Sequence, residues 1–536
     1  MSSLQDPILD GLARGWKVYG GPHAALPAVL ACDVVIIGSG AGAGITAEML
    51  ARAGLKIVIV EEGPLRSSRQ FRQREADAYP QLYQEAAGRK TRDQAINILQ
   101  GRSVGGSTTV NWAGAFRTPP EVLAHWGERF GLGDFGVADM APWFEQVERR
   151  LNITPWATSP NENNDVLRRG AEKLGIAAHV VARNVKGCWN LGSCGLGCPT
   201  NAKQSMLVST LPVALDLGAT LLVQTRARQL LLKDGQVSGL LAEPVALDGT
   251  PSGAPLTITA RHYVVAGGAI NSPALLLRSG APDPHALLGR RTFLHPTAGG
   301  TALFDHEVAG WAGAPLSVYV DHFLHQGPLD GPVGYKLEVA PVHPGFALTN
   351  GGGLGADLAT RAREMPRSQL TIALMRDGFH AESPGGRVQL RDDGSPVLDY
   401  PLNDYLLDGV RRAYLSMAEI QFAAGAQAVR PVHEQAAPWR TLAEARTGIA
   451  GLAMKPFLAT VGSAHVMGGC TMAADAGRGV VRPDGQHWQL ANLSVHDGSL
   501  FPTSLGANPQ QTVYGLAARL SAGLIGRLGG QALPLG

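Results

Sequence analysis

Residues 34–37 form an apolar run with no polar position on either alternating face, which predicts a strand buried on both sides, as in a parallel sheet. Gly38, Gly40, Gly42 and Gly44 follow as a turn, then residues 45–53 as a helix and residues 56–60 as a second strand. Gly38 permits the tight turn, Gly40 lets main chain approach a pyrophosphate, and Ala43 is small enough for helix to pack on strand. The helix N-terminus offers unpaired N–H groups to phosphates. Glu61 closes the second strand roughly 20 residues after the glycines, where a carboxylate accepts hydrogen bonds from a ribose.

Further on the pattern changes several times. Residues 64–100 are polar and charged, with a helical piece near 81–87, and predict a surface crossing. GRSVGGSTTVNWAGAF at 101–116 combines glycine with small hydroxyls, a composition suited to main chain lying against a flat ring or a phosphate. A helical region is predicted over 117–151, and strands within 219–266. The last of these strands runs into Gly267 and Gly268 and a new helix start, read as a second approach to the same nucleotide. Residues 295–454 alternate as strands between long turns, with a helix over 405–424, and predict a mainly antiparallel sheet able to wall a pocket. The chain turns glycine-rich again at about 455 and closes with a helix over 512–528.

Composition narrows the possibilities. Forty-six basic and forty-four acidic residues without a basic run argue against a nucleic-acid partner. The first twenty residues lack a secretory pattern, and no stretch reaches the ~18 uncharged apolar residues of a membrane span. An odd count of five cysteines gives no disulfide framework, so a cytoplasmic location is expected. Oligomeric state is not readable.

Four blocks, in order, resemble the glucose-methanol-choline (GMC) family of FAD-dependent oxidoreductases: the glycines at 38–44, GRSVGGSTTVN at 101–111, GGAINSPALLLRSG at 267–280, and HVMGGCTM at 465–472 with VHDGSLFPTSLGANPQQT at 495–512. The resemblance implies an α/β chain with a discontinuous Rossmann-like FAD-binding domain, 1–295 with 455–536, and a mainly antiparallel substrate domain, 296–454. By that likeness Gly38, Gly40 and Glu61 hold the ADP half, and Gly101, Val104, Ser107 and Asn111 line the flavin. Ala227 meets the adenine end, and Asp497, Gly498 and Thr512 the ribityl and pyrophosphate. Some members attach FAD through a histidine just before the block's asparagine; Val110 stands there, so FAD is expected to be non-covalent.

The resemblance also implies oxidation of a small-molecule alcohol, with oxygen or another electron acceptor. His465 matches the catalytic histidine and Asn508 its partner; an amide cannot take the hydroxyl proton, so the base role is expected of His465 alone. His295, His343 and His496 receive no catalytic role. Cys188, Cys194 and Cys198 stand apart: three thiolates suit a [3Fe-4S] cluster, as in some dehydrogenase subunits of electron-transfer complexes. A similar cysteine-rich segment ending in a run like Lys203, Gln204 and Ser205 occurs in long-chain alcohol oxidases of the family without implying a cluster. That likeness, with Phe293, Leu294 and Phe457 near the domain joins, predicts a hydrophobic or aromatic alcohol. A lyase that keeps the flavin without net redox is the remaining alternative.

Overall fold

A computed structural model describes residues 5–350 and 353–535. The apolar run lies in the strand Val29–Ile37, the centre of an eight-stranded sheet. Val35 and Ile37 pack into one core with Trp126 and Phe144, while Val34 and Ile36 pack into another with Ile45 and Met49. Both faces are therefore covered, which is why the strand carries no polar alternation. Ile57–Val60 and Leu256–Val265 flank it in parallel. Thr220–Leu222 and Lys17–Tyr19 extend one side, and antiparallel Gln236–Pro244 and Thr225–Lys233 the other. Leu493–Val495 pairs with Leu256–Val265, so strands from both ends of the chain share one sheet.

The helix expected over 45–53 begins earlier, as Ala41–Arg52. Its glycines belong inside it because the main chain passes against it: a Cβ on Gly42 would lie 1.6 Å from the His496 carbonyl oxygen. The helical region 117–151 is two helices, Pro120–Phe130 and Val137–Arg150, the first ended by Gly131 at φ +70.

A second eight-stranded sheet is antiparallel except where Val461–Ser463 meets Ile96–Ile98. Thr297–Leu303, Ser368–Met375 and Tyr335–Val339 form its middle, and the helix Asp404–Ala423 packs on it. It also recruits Ile96–Ile98, His179–Val180 and Val461–Ser463 from segments that the sequence expectation placed with the nucleotide-binding part. Strands of two or three residues are too short to show alternation, so only their pairing reveals them. Among the described residues no helix is long and apolar enough to cross a membrane.

Candidate active site

Between the two sheets lies a cavity of about 1230 Å³. At one end the helix Ala41–Arg52 opens onto it from Gly40 with no side-chain cap, leaving N–H groups free for an anion. A Cβ on Gly40 would meet only the Gly106 Cα, at 3.9 Å, so this glycine faces open space. Glu61 accepts from the Ser39 hydroxyl at 2.5 Å and the Gly63 N–H at 2.7 Å. Burial raises its carboxyl to about 7, with those two hydrogen bonds opposing the shift.

Opposite, Asp497 accepts from the Gly268 N–H at 2.7 Å and the Ser272 hydroxyl at 2.5 Å, fixing the second glycine turn against the same cavity. Gly38, Gly101, Ser107, Asn111, Ala227 and Gly498 also line it. Val104 and Thr512 do not. Val104 is buried in the core behind the loop with its N–H spent on the Pro64 carbonyl, and the Thr512 hydroxyl pairs with that of Thr118 at 2.9 Å. From the same helix it is Gln510 and Val513 that reach the cavity.

His465 and Asn508 both line this cavity, and Lys336 and Glu338 act on each of them. Burial lowers the His465 imidazole to about 4, the Glu338 carboxylate opposing and the Lys336 ammonium adding to the shift, so it is neutral at ordinary pH. His295, given no role from sequence, stands directly behind it with the two Nδ1 atoms 3.3 Å apart. The Leu505 and Gly506 N–H groups both donate to His295 Nε2, at 3.2 and 2.9 Å. A neutral His295 therefore carries its hydrogen on Nδ1 and directs it at His465.

Asn508 is held by residues that sequence reasoning missed. Lys336 Nζ donates to its Oδ1 at 2.6 Å, and its Nδ2 donates to Glu338 Oε2 at 3.2 Å. The available signal was the strand YKLEV, in which two charges fall on the same alternating face of an otherwise apolar segment and are both buried. His343 lines the cavity with Nε2 3.3 Å from the Gly192 carbonyl oxygen, and His496 is buried away from it among Thr46, Ser494 and Ser521.

From the second sheet and its flanking loops, Ala298, Val342, Phe346, Ile372, Leu374 and Val432 line the cavity, interspersed with Thr297, Thr301, Ser368 and Gln369. Of the apolar residues expected near the domain joins, Phe293 and Leu294 are fully buried outside the cavity lining, and Phe457 is exposed. The cluster reading of the cysteines finds no support: among the described residues no three His, Cys, Asp or Glu side chains are grouped to hold a metal ion. Cys194 accepts from Arg183 at 3.7 Å, and the Cys198 sulfur lies 3.5 Å from the Thr200 hydroxyl. Lys203 from that segment donates to the carbonyls of Thr109, Asn111 and Cys194 at 2.7–2.9 Å. The segment thus braces the back of the 101–111 loop.

Two family profiles described as GMC oxidoreductase match residues 79–297 and 381–517. A long-chain-alcohol oxidase of Arabidopsis thaliana is 28% identical over 93% of this chain and 68% of its own length. An uncharacterized GMC-type oxidoreductase of Mycobacterium tuberculosis is 30% identical over 92% of this chain and 75% of its own. Among solved structures, a formate oxidase superposes with a TM-score of 0.67 at 14% identity, covering 94% of this chain and 99% of that one. Pyridoxine 4-oxidase gives 0.64 at 18% identity, over 91% and 98%.

Proposed function

Because the chain belongs to the GMC oxidoreductase family, FAD-dependent enzymes acting on CH–OH groups, we propose that it oxidises a hydrophobic alcohol to an aldehyde or ketone with dissociable FAD. The observation that carries this reading is that His465 and Asn508 line the same cavity as the glycine turns, a cavity whose lining is mostly apolar. Similarity to long-chain-alcohol oxidases supports a hydrophobic substrate.

The residues present fit FAD. The uncapped helix start at Gly40, the open space in front of it and the buried Glu61 carboxyl form a cradle for a diphosphate and its ribose. Bound there, FAD supplies the hydride acceptor of the reaction. Asn508 offers an N–H to the substrate oxygen, and His465 takes the hydroxyl proton on Nε2. Val110, which lines the cavity, has no nucleophilic atom with which to bond the cofactor.

Anaerobic mixing with decan-1-ol, benzyl alcohol or glucose, followed by flavin absorbance, tests the reading. Bleaching is expected to be faster with the first two than with glucose, and acid precipitation is expected to release FAD into the supernatant. Flavin left oxidised by every alcohol would favour the lyase alternative, and flavin retained in the pellet would contradict dissociable FAD.

A further inference from the structure

We propose that Lys336 and Glu338 are positioning residues that lock the Asn508 amide so that it meets the reacting oxygen only as a hydrogen-bond donor, an inference that rests on the proposed contact of Asn508 with that oxygen. Lys336 and Glu338 lie two apart on the strand Tyr335–Val339 and so project from one face. Each is at most 2% exposed.

The amide orientation follows from charge. An ammonium has three donors and no acceptor, so the group 2.6 Å from Lys336 Nζ must be the amide oxygen. The amide nitrogen then faces Glu338 Oε2 at 3.2 Å. Turning the amide over would set N–H against ammonium and oxygen against carboxylate, so both neighbours oppose the flip. One Nδ2 hydrogen is used by Glu338; the other remains for the cavity that Asn508 lines. The ammonium on Oδ1 also draws electron density from the amide and strengthens that remaining donor.

The pair is an unusual element inside a sheet. Lys336 Nζ is 2.7 Å from Glu338 Oε1 while it donates to Asn508 Oδ1, so one ammonium serves both the carboxylate and the amide. The Phe116 ring, 3.6 Å from Nζ, fixes the ammonium from the other side. A buried ion pair seldom stabilises more than apolar residues of the same volume would. Holding Asn508 gives it a purpose that stability does not.

The test is a double-mutant cycle on FAD-loaded protein: Glu338→Leu and Glu338→Gln, each alone and combined with Asn508→Ala. Flavin reduction by decan-1-ol is read anaerobically by stopped flow. Glu338→Leu is expected to lower the limiting rate by roughly 10²-fold, the scale of a misplaced polar partner, with little change in half-saturation. Glu338→Gln, whose side-chain oxygen still accepts from Asn508, is expected to restore most of the rate. With Asn508→Ala present, Glu338→Leu should cost almost nothing more. Equal losses in both backgrounds, or no recovery with Gln, would overturn the proposal. Should Glu338→Leu not fold with Lys336 left unpaired, Lys336→Met/Glu338→Leu removes both charges and enters the same cycle. If decan-1-ol fails to reduce the wild-type flavin, the proposed function falls first. The clamp is then judged by urea unfolding, where additive effects of the Glu338 and Asn508 variants would overturn it and coupled effects support it.

Discussion

His295 has a left-handed backbone, φ +46, uncommon for a residue other than glycine, and its ring sits between two backbone donors and His465. Its Nδ1 hydrogen makes His465 Nδ1 the acceptor, so the resting His465 holds its own hydrogen on Nε2. Acting as a base at Nε2 requires the other tautomer and surrender of the His295 contact. That tautomer sets two buried Nδ1–H donors against each other, each unsatisfied donor costing about 1–3 kcal/mol, while a positioned base contributes roughly 10² to 10⁴ in rate, so the two effects are of similar size and a substitution must separate them. Glutamine separates the two roles, since it can donate to the substrate oxygen but cannot take a proton. His465→Ala and His465→Gln are both expected to keep FAD and to slow flavin reduction by roughly 10² to 10⁴. A Gln variant within about tenfold of the native rate would make the resting tautomer the working one and His465 a donor.

At the scale of elements, two glycines in one turn have opposite jobs. A side chain on Gly40 would enter the cavity, whereas one on Gly42 would collide with the main chain of His496. Gly40→Val is therefore expected to yield folded protein without FAD, and Gly42→Val to yield little folded protein at all. Far-UV circular dichroism with flavin content per chain measures both, and a flavin-replete Gly40→Val protein would move the diphosphate site elsewhere. These features were legible in the sequence because strand, glycines, helix, strand and Glu61 are consecutive, and local spacing reports local geometry. The alternating texture of 295–454 likewise foretold a mainly antiparallel sheet. Other contacts had no local trace. Lys336 and Asn508 are 172 residues apart, and His295 and His465 are 170 apart. Val104 and Thr512, expected at the cofactor, lie behind the cavity lining, for a matching block locates a turn or helix but not which of its faces meets the cavity.

Over the whole molecule, neutral buried histidines help hold the two ends of the chain together. His496 joins Thr46 of the first helix after the glycine turn to Ser494 and to Ser521 of the last helix, and Ser494 reaches His262 in the central sheet. Burial lowers His496 and His262 to about 3 and His487 to about 4. In the unfolded chain each titrates near 6.5. Below that value the unfolded state binds protons that the folded state refuses, so stability is fullest above pH 6.5 and declines as pH falls toward the folded values. Each histidine removes at most about 1.4 kcal/mol per pH unit within that window. Glu61 works the other way: with its folded value raised to about 7, its contribution is greatest at low pH and is lost as pH rises through 7. With His465 lowered to about 4 as well, four imidazoles titrate against Glu61 in this window, and their balance favours the higher pH. Urea unfolding is thus expected to show lower stability at pH 5 than at pH 7.5, and His496→Gln, which cannot protonate, should flatten that decline by up to one proton's worth. Stability unchanged or higher at pH 5 would mean that these histidines take up protons in the folded chain as readily as in the unfolded one, and that burial does not hold them neutral.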